Sequence, residues 1–447
     1  MAIKLPAGFE DMLPADAGFY QEFVALAQCV FATYGYEPVI TPQVELTDLF
    51  VRGIGEATDV VSKEMFTAIS GENLATLLAG GTVKAKSRLT LRPEGTAGVV
   101  RAVVEHDLVP QGAGPVKLMY AGPMFRAERP QKGRLRQFNQ IGIECLGAEA
   151  PSVDAEGIVM LMRFFRQVGI PQESMVLLLN SMGCDDCRTP YREAVRDFVR
   201  RHADRMCPQC LERAETNPLR AFDCKNEGCR AVMADAPRIT DWLCESCRGH
   251  HDAVRSYLAA AGVDYAEDPT LVRGLDYYTR TVFEVQALDT NSAQNAIGGG
   301  GRYDRLAEEV GGRPTPGFGF ALGFERCRIA LEAAGVSVER PTSCDVFVAT
   351  IEDAQRAAAF ALVQRLRDAG VHADMNHQER SLKGQMKLAN KLAARRVVVL
   401  GPDELAQGAA VVRDMGSHAE RTVELDRMVE VLAAEAREVE PSAAPEA

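Results

Sequence analysis

The chain lacks any stretch approaching the roughly 20 consecutive apolar residues that cross a bilayer. Its opening, MAIKLPAGFEDMLP, carries no apolar run long enough for a signal peptide. These two absences point away from a membrane-spanning or exported protein, and the expectation is a cytoplasmic one. Net positive charge is lacking as well: 62 acidic against 50 basic residues leave −12. That counts against a general nucleic-acid coat protein, but not against a structured RNA partner, for which a local basic surface suffices. The Gly-rich stretch IGGGGRYDRL (297–306) lacks the following Lys-Ser/Thr of a phosphate loop. Its better reading is close backbone approach at the floor of a pocket, where only glycine leaves the space. The apolar and charged fractions, 47% and 25%, are those of an ordinary globular protein, and 447 residues predict two or three domains.

What the chain has in excess is cysteine. In a cytoplasmic setting, twelve cysteines argue for metal or free thiols rather than disulfides. Eight of them fall in four close pairs: Cys184/Cys187, Cys207/Cys210, Cys224/Cys229 and Cys244/Cys247. A CxxC knuckle sets two thiolates about as far apart as adjacent vertices of a zinc tetrahedron. A redox role is disfavoured because no thioredoxin-like βαβ pattern surrounds the pairs. The span is polar, with Phe198, Phe222 and Trp242 its only Phe or Trp residues. So small a module buries little core, and a structural metal is a usual remedy. The spacing predicts structural zinc and leaves the pairing open. Pairs one and four would nest around two and three if the ends of the span lie close together; otherwise the pairs are consecutive.

Residues 120–147, YAGPMFRAERPQKGRLRQFNQIGIECLG, read as two extended runs joined by a basic turn. On the second run Phe138, Gln140, Gly142 and Glu144 share one face. Arg126, Glu128, Arg134 and Arg136 converge with one aromatic and two hydrogen-bonding side chains. Guanidinium forks suit phosphates, and Phe138 suits stacking on a base.

This stretch resembles the second signature motif of class II aminoacyl-tRNA synthetases, in the FRxERPQxGRxRQF form of histidyl-tRNA synthetases. LVRGLDYYTRTVFE (271–284) resembles the histidine-specific signature of that family, and GFGFALGFER (317–326) the third class II motif. LRPEGTA (91–97) and GGGRYD (299–304) fit the same order, so the resemblance covers nearly the whole chain. It implies an α+β class II catalytic domain on a mixed, mainly antiparallel sheet, interrupted by the Cys-rich insertion and followed by an α/β anticodon-binding domain. The boundaries so read are 1–180 and 257–333 for the catalytic domain, 181–256 for the insertion, 342–432 for the last domain and 437–447 for a disordered tail.

The resemblance implies roles residue by residue. Arg126, Glu128, Phe138 and Arg326 would hold ATP, with magnesium on its outer phosphates. Arg273 would be a fixed cation at the α-phosphate, joining Arg126 and Arg326 as the catalytic set. Glu94, Thr96, Gln140, Glu144, Arg273, Tyr277 and Tyr278 would hold histidine, Tyr278 and Glu144 addressing the imidazole. Thr96 could also cap the helix running from Ala97. Arg129 and Gln131 in the turn would meet the acceptor end of the tRNA. The region around Pro42 would build a homodimer seam. The expected activity is ATP-dependent activation of histidine and its transfer to tRNA. The rival is a non-catalytic histidine-sensing paralogue, which keeps only the catalytic domain and loses parts of the arginine set; this chain has Arg126, Arg273, Arg326 and a C-terminal domain.

Elsewhere, 9–34 predicts a helix, 34–45 an edge strand broken by Pro38 and Pro42, and 70–91 a surface insertion or lengthened arm. From 344 on, strands alternate with helices, predicting a small, largely parallel α/β domain. Within it Lys383, Lys387, Lys391 and Arg395 recur every four residues on a helix read as 381–394, a stripe suited to tRNA phosphates.

Overall fold

The computed structural model describes residues 3–439 except Ala57, Gln111, Ala113, Asp223, Arg273, Gly274, Asp289, 291–294 and 339–343. The chain divides into two compact units, Met1–Val338 and Glu339–Ala447.

The first unit is built on an eight-stranded sheet. From one edge its strands run Glu37–Pro38, Val116–Phe125, Gln137–Leu146, Gly317–Gly323, Ala296–Arg302, Thr279–Ala287, Met175–Ser181 and Ala266–Glu267. The six inner strands are antiparallel; only the two-residue edge strands pair in parallel. This is the mixed, mainly antiparallel sheet that the resemblance implies. One face packs against helices Pro14–Ala32 and Pro151–Gln167, whose Phe19, Phe23, Phe31, Phe164 and Phe165 interlock with Phe320 and Phe324 in an aromatic core. The opposite face carries helix Thr96–Glu105 and the tyrosines Tyr120, Tyr277, Tyr278 and Tyr303.

The first helix starts at Pro14, not near residue 9. Proline at the first helical position sacrifices no hydrogen bond, so the boundary falls there. The expected strand over 34–45 is two separate pieces: Glu37–Pro38 at the edge of the large sheet, and Val44–Leu46 in a three-stranded sheet with Phe66–Ala68 and Leu89–Leu91. Residues 70–91 hold a short helix, Gly71–Leu78, capped by Ser70 and with no buried residue.

The Cys-rich insertion leaves the sheet after strand Met175–Ser181 and returns through helix Glu245–Ala260. It has its own core, in which Tyr191, Val195, Val199, Leu219 and Ile239 pack with Cys187, Cys210, Cys229 and Cys247.

The second unit holds a five-stranded sheet. Ala373–Met375, Val346–Thr350 and Arg396–Leu400 are parallel, while Ala409–Asp414 and Glu420–Glu424 add an antiparallel hairpin. Helix Leu382–Lys391 is shorter than read: it ends at a cap on Leu392, followed by Ala393 at φ 48°. Arg395 therefore lies beyond the helix and ion-pairs with Asp345 at 3.1 Å. The stripe is Lys383, Lys387 and Lys391, all exposed. The last helix, Met428–Val439, runs past the expected start of the tail, and 440–447 lie outside the described residues.

Candidate active site

The two long strands Val116–Phe125 and Gln137–Leu146 pair in register from Val116–Leu146 to Phe125–Gln137, with Gln131 and Arg134 bridged in the turn. At the turn end of this hairpin a cleft of about 190 Å³ opens. One end is lined by Glu94, Thr96, Gln140, Tyr277, Tyr278 and Tyr303, the other by Arg126, Glu128, Arg134, Phe138, Glu325 and Arg326. Sequence-distant motifs thus meet because adjacent strands deliver them to one rim.

The cationic end is built under tension. Arg326 donates to Gly133 O at 3.2 Å and Ala296 O at 3.1 Å. Burial pulls its pKa down, and the neighbouring Arg134 and Arg126 add to the effect. Arg126 lies with its guanidinium 5.2 Å from the centre of the Phe138 ring and donates to Pro93 O at 2.9 Å. Glu128 pairs with Arg134. Glu64, just outside the cleft, has its pKa raised by burial and by the Glu128 charge. Three convergent guanidiniums with one paired carboxylate among them make a receptor for a polyanion. Arg136 does not join them: it donates to Glu128 O and Ala7 O, tying the N-terminal segment to the hairpin.

The other end is carboxylate and phenol. Glu94 is 3% exposed and caps helix Thr96–Glu105, accepting from the amides of Thr96 at 2.7 Å and Ala97 at 2.8 Å. The cap is therefore Glu94 and not Thr96, which is itself the first helical residue. Burial raises the Glu94 pKa even though those two amides oppose it. Glu144 is fully buried behind the lining, its Oε2 taking a hydrogen bond from the Tyr303 hydroxyl. Among the described residues, its Oε1 and the Gln140 Oε1 are buried without a hydrogen-bond partner. Burial holds the Glu144 carboxyl well above the usual range. A Cβ at residue 319 would lie 2.0 Å from Glu144 Oε2, so glycine is required there for the carboxylate to fit. Orphaned acceptors at the base of a cleft call for a donor-bearing ligand.

Of the sequence-read site residues, Glu94, Thr96, Arg126, Glu128, Phe138, Gln140, Tyr277, Tyr278 and Arg326 line this cleft, and Glu144 lies behind it. Arg129 and Gln131 are exposed on the hairpin turn. Arg273 lies outside the described residues. Tyr303, Glu284 and Glu325 also line the cleft and were not singled out. For Tyr303 the available signal was its place in the GGGRYD stretch, two residues past the last glycine of the run.

The eight cysteines form two separate clusters, Cys184/Cys187/Cys244/Cys247 and Cys207/Cys210/Cys224/Cys229, which is the nested pairing. In each, all four Sγ atoms lie within 4.8 Å of one another. The edges Cys184–Cys187, Cys184–Cys244 and Cys207–Cys224 are 3.6, 4.0 and 3.9 Å. A tetrahedron of thiolates about 2.3 Å from zinc has edges of about 3.8 Å. Backbone amides of Cys244 and Cys207 point at Cys187 and Cys229 Sγ, each at 3.1 Å, as suits thiolate acceptors. Donor set and geometry fit zinc.

Comparison with known proteins gives one answer. The family model described as Histidyl-tRNA synthetase matches residues 8–327, and the Anticodon binding domain matches 345–435. Curated histidine--tRNA ligases of Pelotomaculum thermopropionicum and Moorella thermoacetica are each 45% identical, over 97% and 96% of this chain and 98% of their own lengths. A crystal structure of apo S. aureus histidyl-tRNA synthetase superposes with a TM-score of 0.79 at 36% identity, covering 97% of this chain and 100% of that one. A Bacillus halodurans structure titled as an ATP phosphoribosyltransferase regulatory subunit/histidyl-tRNA synthetase shares the fold, at TM-score 0.62 and 18% identity.

Proposed function

This chain belongs to the histidyl-tRNA synthetase family, and from that premise we propose how its cleft divides the work. The activity is that of a histidine--tRNA ligase, which activates histidine with ATP and passes it to the tRNA. The observation that carries the site reading is the polarity of the cleft: guanidiniums and Phe138 at one end, buried carboxyls and tyrosines at the other, continuous between them.

ATP enters as its magnesium complex, its base against Phe138 and its phosphates among Arg126 and Arg326, with Glu128 fixing the set through Arg134. The histidine ammonium meets Glu94 and Thr96, and its imidazole reaches the Gln140, Glu144 and Tyr278 corner. The carboxylate then attacks the α-phosphorus, giving histidyl-adenylate and pyrophosphate. A ribose hydroxyl at the tRNA end next takes the histidyl group. Charge builds on phosphoryl oxygens, so preset cations provide most of the rate gain and no covalent protein intermediate is needed. Arg273 is assigned to the α-phosphate by its motif alone. Exchange of labelled pyrophosphate into ATP with each amino acid in turn tests the reading. Exchange supported by histidine alone is expected, and equal exchange with another amino acid would sink it.

The Glu94 role predicts a pH dependence. Its pKa is raised, so the charged form that binds the ammonium is lost as pH falls through that raised value. Histidine KM should rise on acidification below neutrality, more steeply than ATP KM, and Glu94→Gln should start high and flatten the profile.

Transfer needs tRNA, and the anticodon-binding unit offers Lys383, Lys387 and Lys391 on one exposed helix face. Changing all three to Gln should weaken tRNA binding and lower the slope of log affinity against log salt by about 2 to 3. Exchange without tRNA should stay normal; an unchanged slope would place the tRNA contact elsewhere. Arg129 and Gln131, exposed on the hairpin turn, would meet the acceptor end.

The two thiolate clusters hold structural zinc. Closed four-thiolate sites leave no open position for substrate, so zinc supplies cross-linking and no chemistry. Metal analysis of protein purified without added zinc should return two zinc atoms per chain, and metal-free protein with a protease-resistant insertion would refute this. The working form is a homodimer: Ile40, Val44 and Leu46, beside Pro42, are exposed apolar side chains that a second copy would cover.

A further inference from the structure

We propose that the Cys184/Cys187/Cys244/Cys247 cluster, at the neck of the insertion, is a positioning element for the histidine end of the cleft. The proposal rests on the zinc reading above and goes beyond a merely structural metal.

The neck enters the sheet beside the pocket wall. Met182 N donates to Arg280 O at 2.6 Å and Arg280 N to Gly183 O at 2.9 Å, two residues past Tyr278. Gly183 sits at φ 62°, and a Cβ there would come within 2.6 Å of the Cys187 Cβ, so the cluster is folded tightly against this crossing. Val272 and Met182 pack against the insertion's core.

Two helices leave the cluster, each beginning at one of its cysteines. Cys184 is the N-cap of helix Asp185–Arg201 and Cys244 that of Glu245–Ala260. Each helix buries one side chain against a group tied to the pocket wall. On the first, Arg188, 8% exposed, donates to the Tyr278 carbonyl at 2.8 Å, its other amine held by Asp185. On the second, His250, 7% exposed, meets Asp154 at 2.8 Å. Asp154 holds Arg302, whose chain neighbour Tyr303 donates to Glu144. Beyond the neck, Asn217 and Arg220, bracketed by the other cluster, reach Asp276 at 3.2 and 3.4 Å.

The loop 275–278 has no strand or helix of its own. Its tyrosines are fixed from behind, by groups whose spacing depends on the angle between the two neck helices. A tetrahedral zinc sets that angle because it joins both helix starts. Without it, the hydrogen bonds that join the first turns among the described residues are the Cys244 amide to Cys187 and the Cys184–Cys244 thiol contact. A displacement of about 1 Å in such a wall costs roughly a hundredfold in a site that depends on orientation. The loss should fall on histidine, because the struts end on the Tyr278 carbonyl and the Tyr303–Glu144 corner, whereas Arg126, Phe138 and Arg326 are not touched by them.

The test uses the full chain and counts zinc first. Arg188→Met should keep two zinc atoms, raise histidine KM at least tenfold in pyrophosphate exchange and leave ATP KM within twofold; Arg188→Lys should recover part. Cys187→Ser with Cys247→Ser should lose one zinc and give the same histidine-selective loss. Parallel rises in both KM values would overturn the proposal in favour of general loosening. So would a neck variant that lost zinc with histidine KM unchanged. A parent protein without zinc would instead overturn the metal reading, with Arg188→Met still reporting on the strut by itself.

Discussion

Arg326→Ala should lower histidine-dependent pyrophosphate exchange by about 10² to 10³, the loss seen when one preset donor to a developing anion is removed. The structure shows why this arginine has no substitute. It is clamped between Gly133 O and Ala296 O, its orientation set before any ligand arrives. Burial raises the cost of its charge, and repulsion from Arg134 and Arg126 adds to it. Such a group is unfavourable in the empty site and is relieved by a triphosphate, so the site stores its complementarity in the protein. The variant should therefore fold as well as the parent or slightly better, with an undiminished thermal midpoint. Its ATP KM should rise and its exchange rate fall while histidine binding, measured without ATP by calorimetry, stays within twofold. Collapse of histidine binding would move Arg326 out of the nucleotide end.

The same arginine shows how far a sequence carries. The hairpin 120–147 was legible because alternation along extended chain fixes which side chains share a face. Phe138 and Gln140 line the cleft together for that reason. The nested cysteine pairing was not legible, since it depends on strand Met175–Ser181 and helix Glu245–Ala260 bringing distant ends together. Local periodicity failed wherever a boundary mattered. Arg395 kept the four-residue spacing yet fell past a helix ended at Leu392, and Pro14 moved the start of the first helix. Competition between side chains was equally hidden. Thr96 is the plausible cap by type, and only the fold shows the Glu94 carboxylate taking both amides. Tyr303 was not legible because the nearby glycine run accounts for the stretch without it. Its meaning appears only when Glu144 is found across the sheet with one oxygen on its hydroxyl.

Asp154→Asn should cost the catalytic unit about 3 to 5 kcal/mol, the penalty for breaking a buried ion pair by removing one partner. Asp154 and Arg302 are both fully buried. The carboxylate accepts from Arg302 Nη2 at 2.5 Å and Nε at 3.1 Å and from His250 Nε2 at 2.8 Å. Arg302 keeps Asp304 at 3.1 Å and the Ala148 carbonyl at 3.0 Å, which places the loss toward the lower end of that range. Burial works to raise the Asp154 pKa, but the His250 hydrogen bond and the Arg302 charge outweigh it and leave it lowered. A carboxyl depressed on folding stabilises the native state above its unfolded pKa of about 3.9, and that contribution is lost as pH falls through the lower folded value. The deficit of Asp154→Asn in urea unfolding of the full chain should thus be complete at pH 7 and shrink below about pH 4. Replacing Asp154 and Arg302 together by Leu and Met should recover part of the loss, because no charge is left stranded. A single-variant deficit under about 1 kcal/mol would put this pair in the range of exposed ion pairs. In that event the link from helix Glu245–Ala260 to the Tyr303–Glu144 corner would be too weak to hold a pocket wall in place.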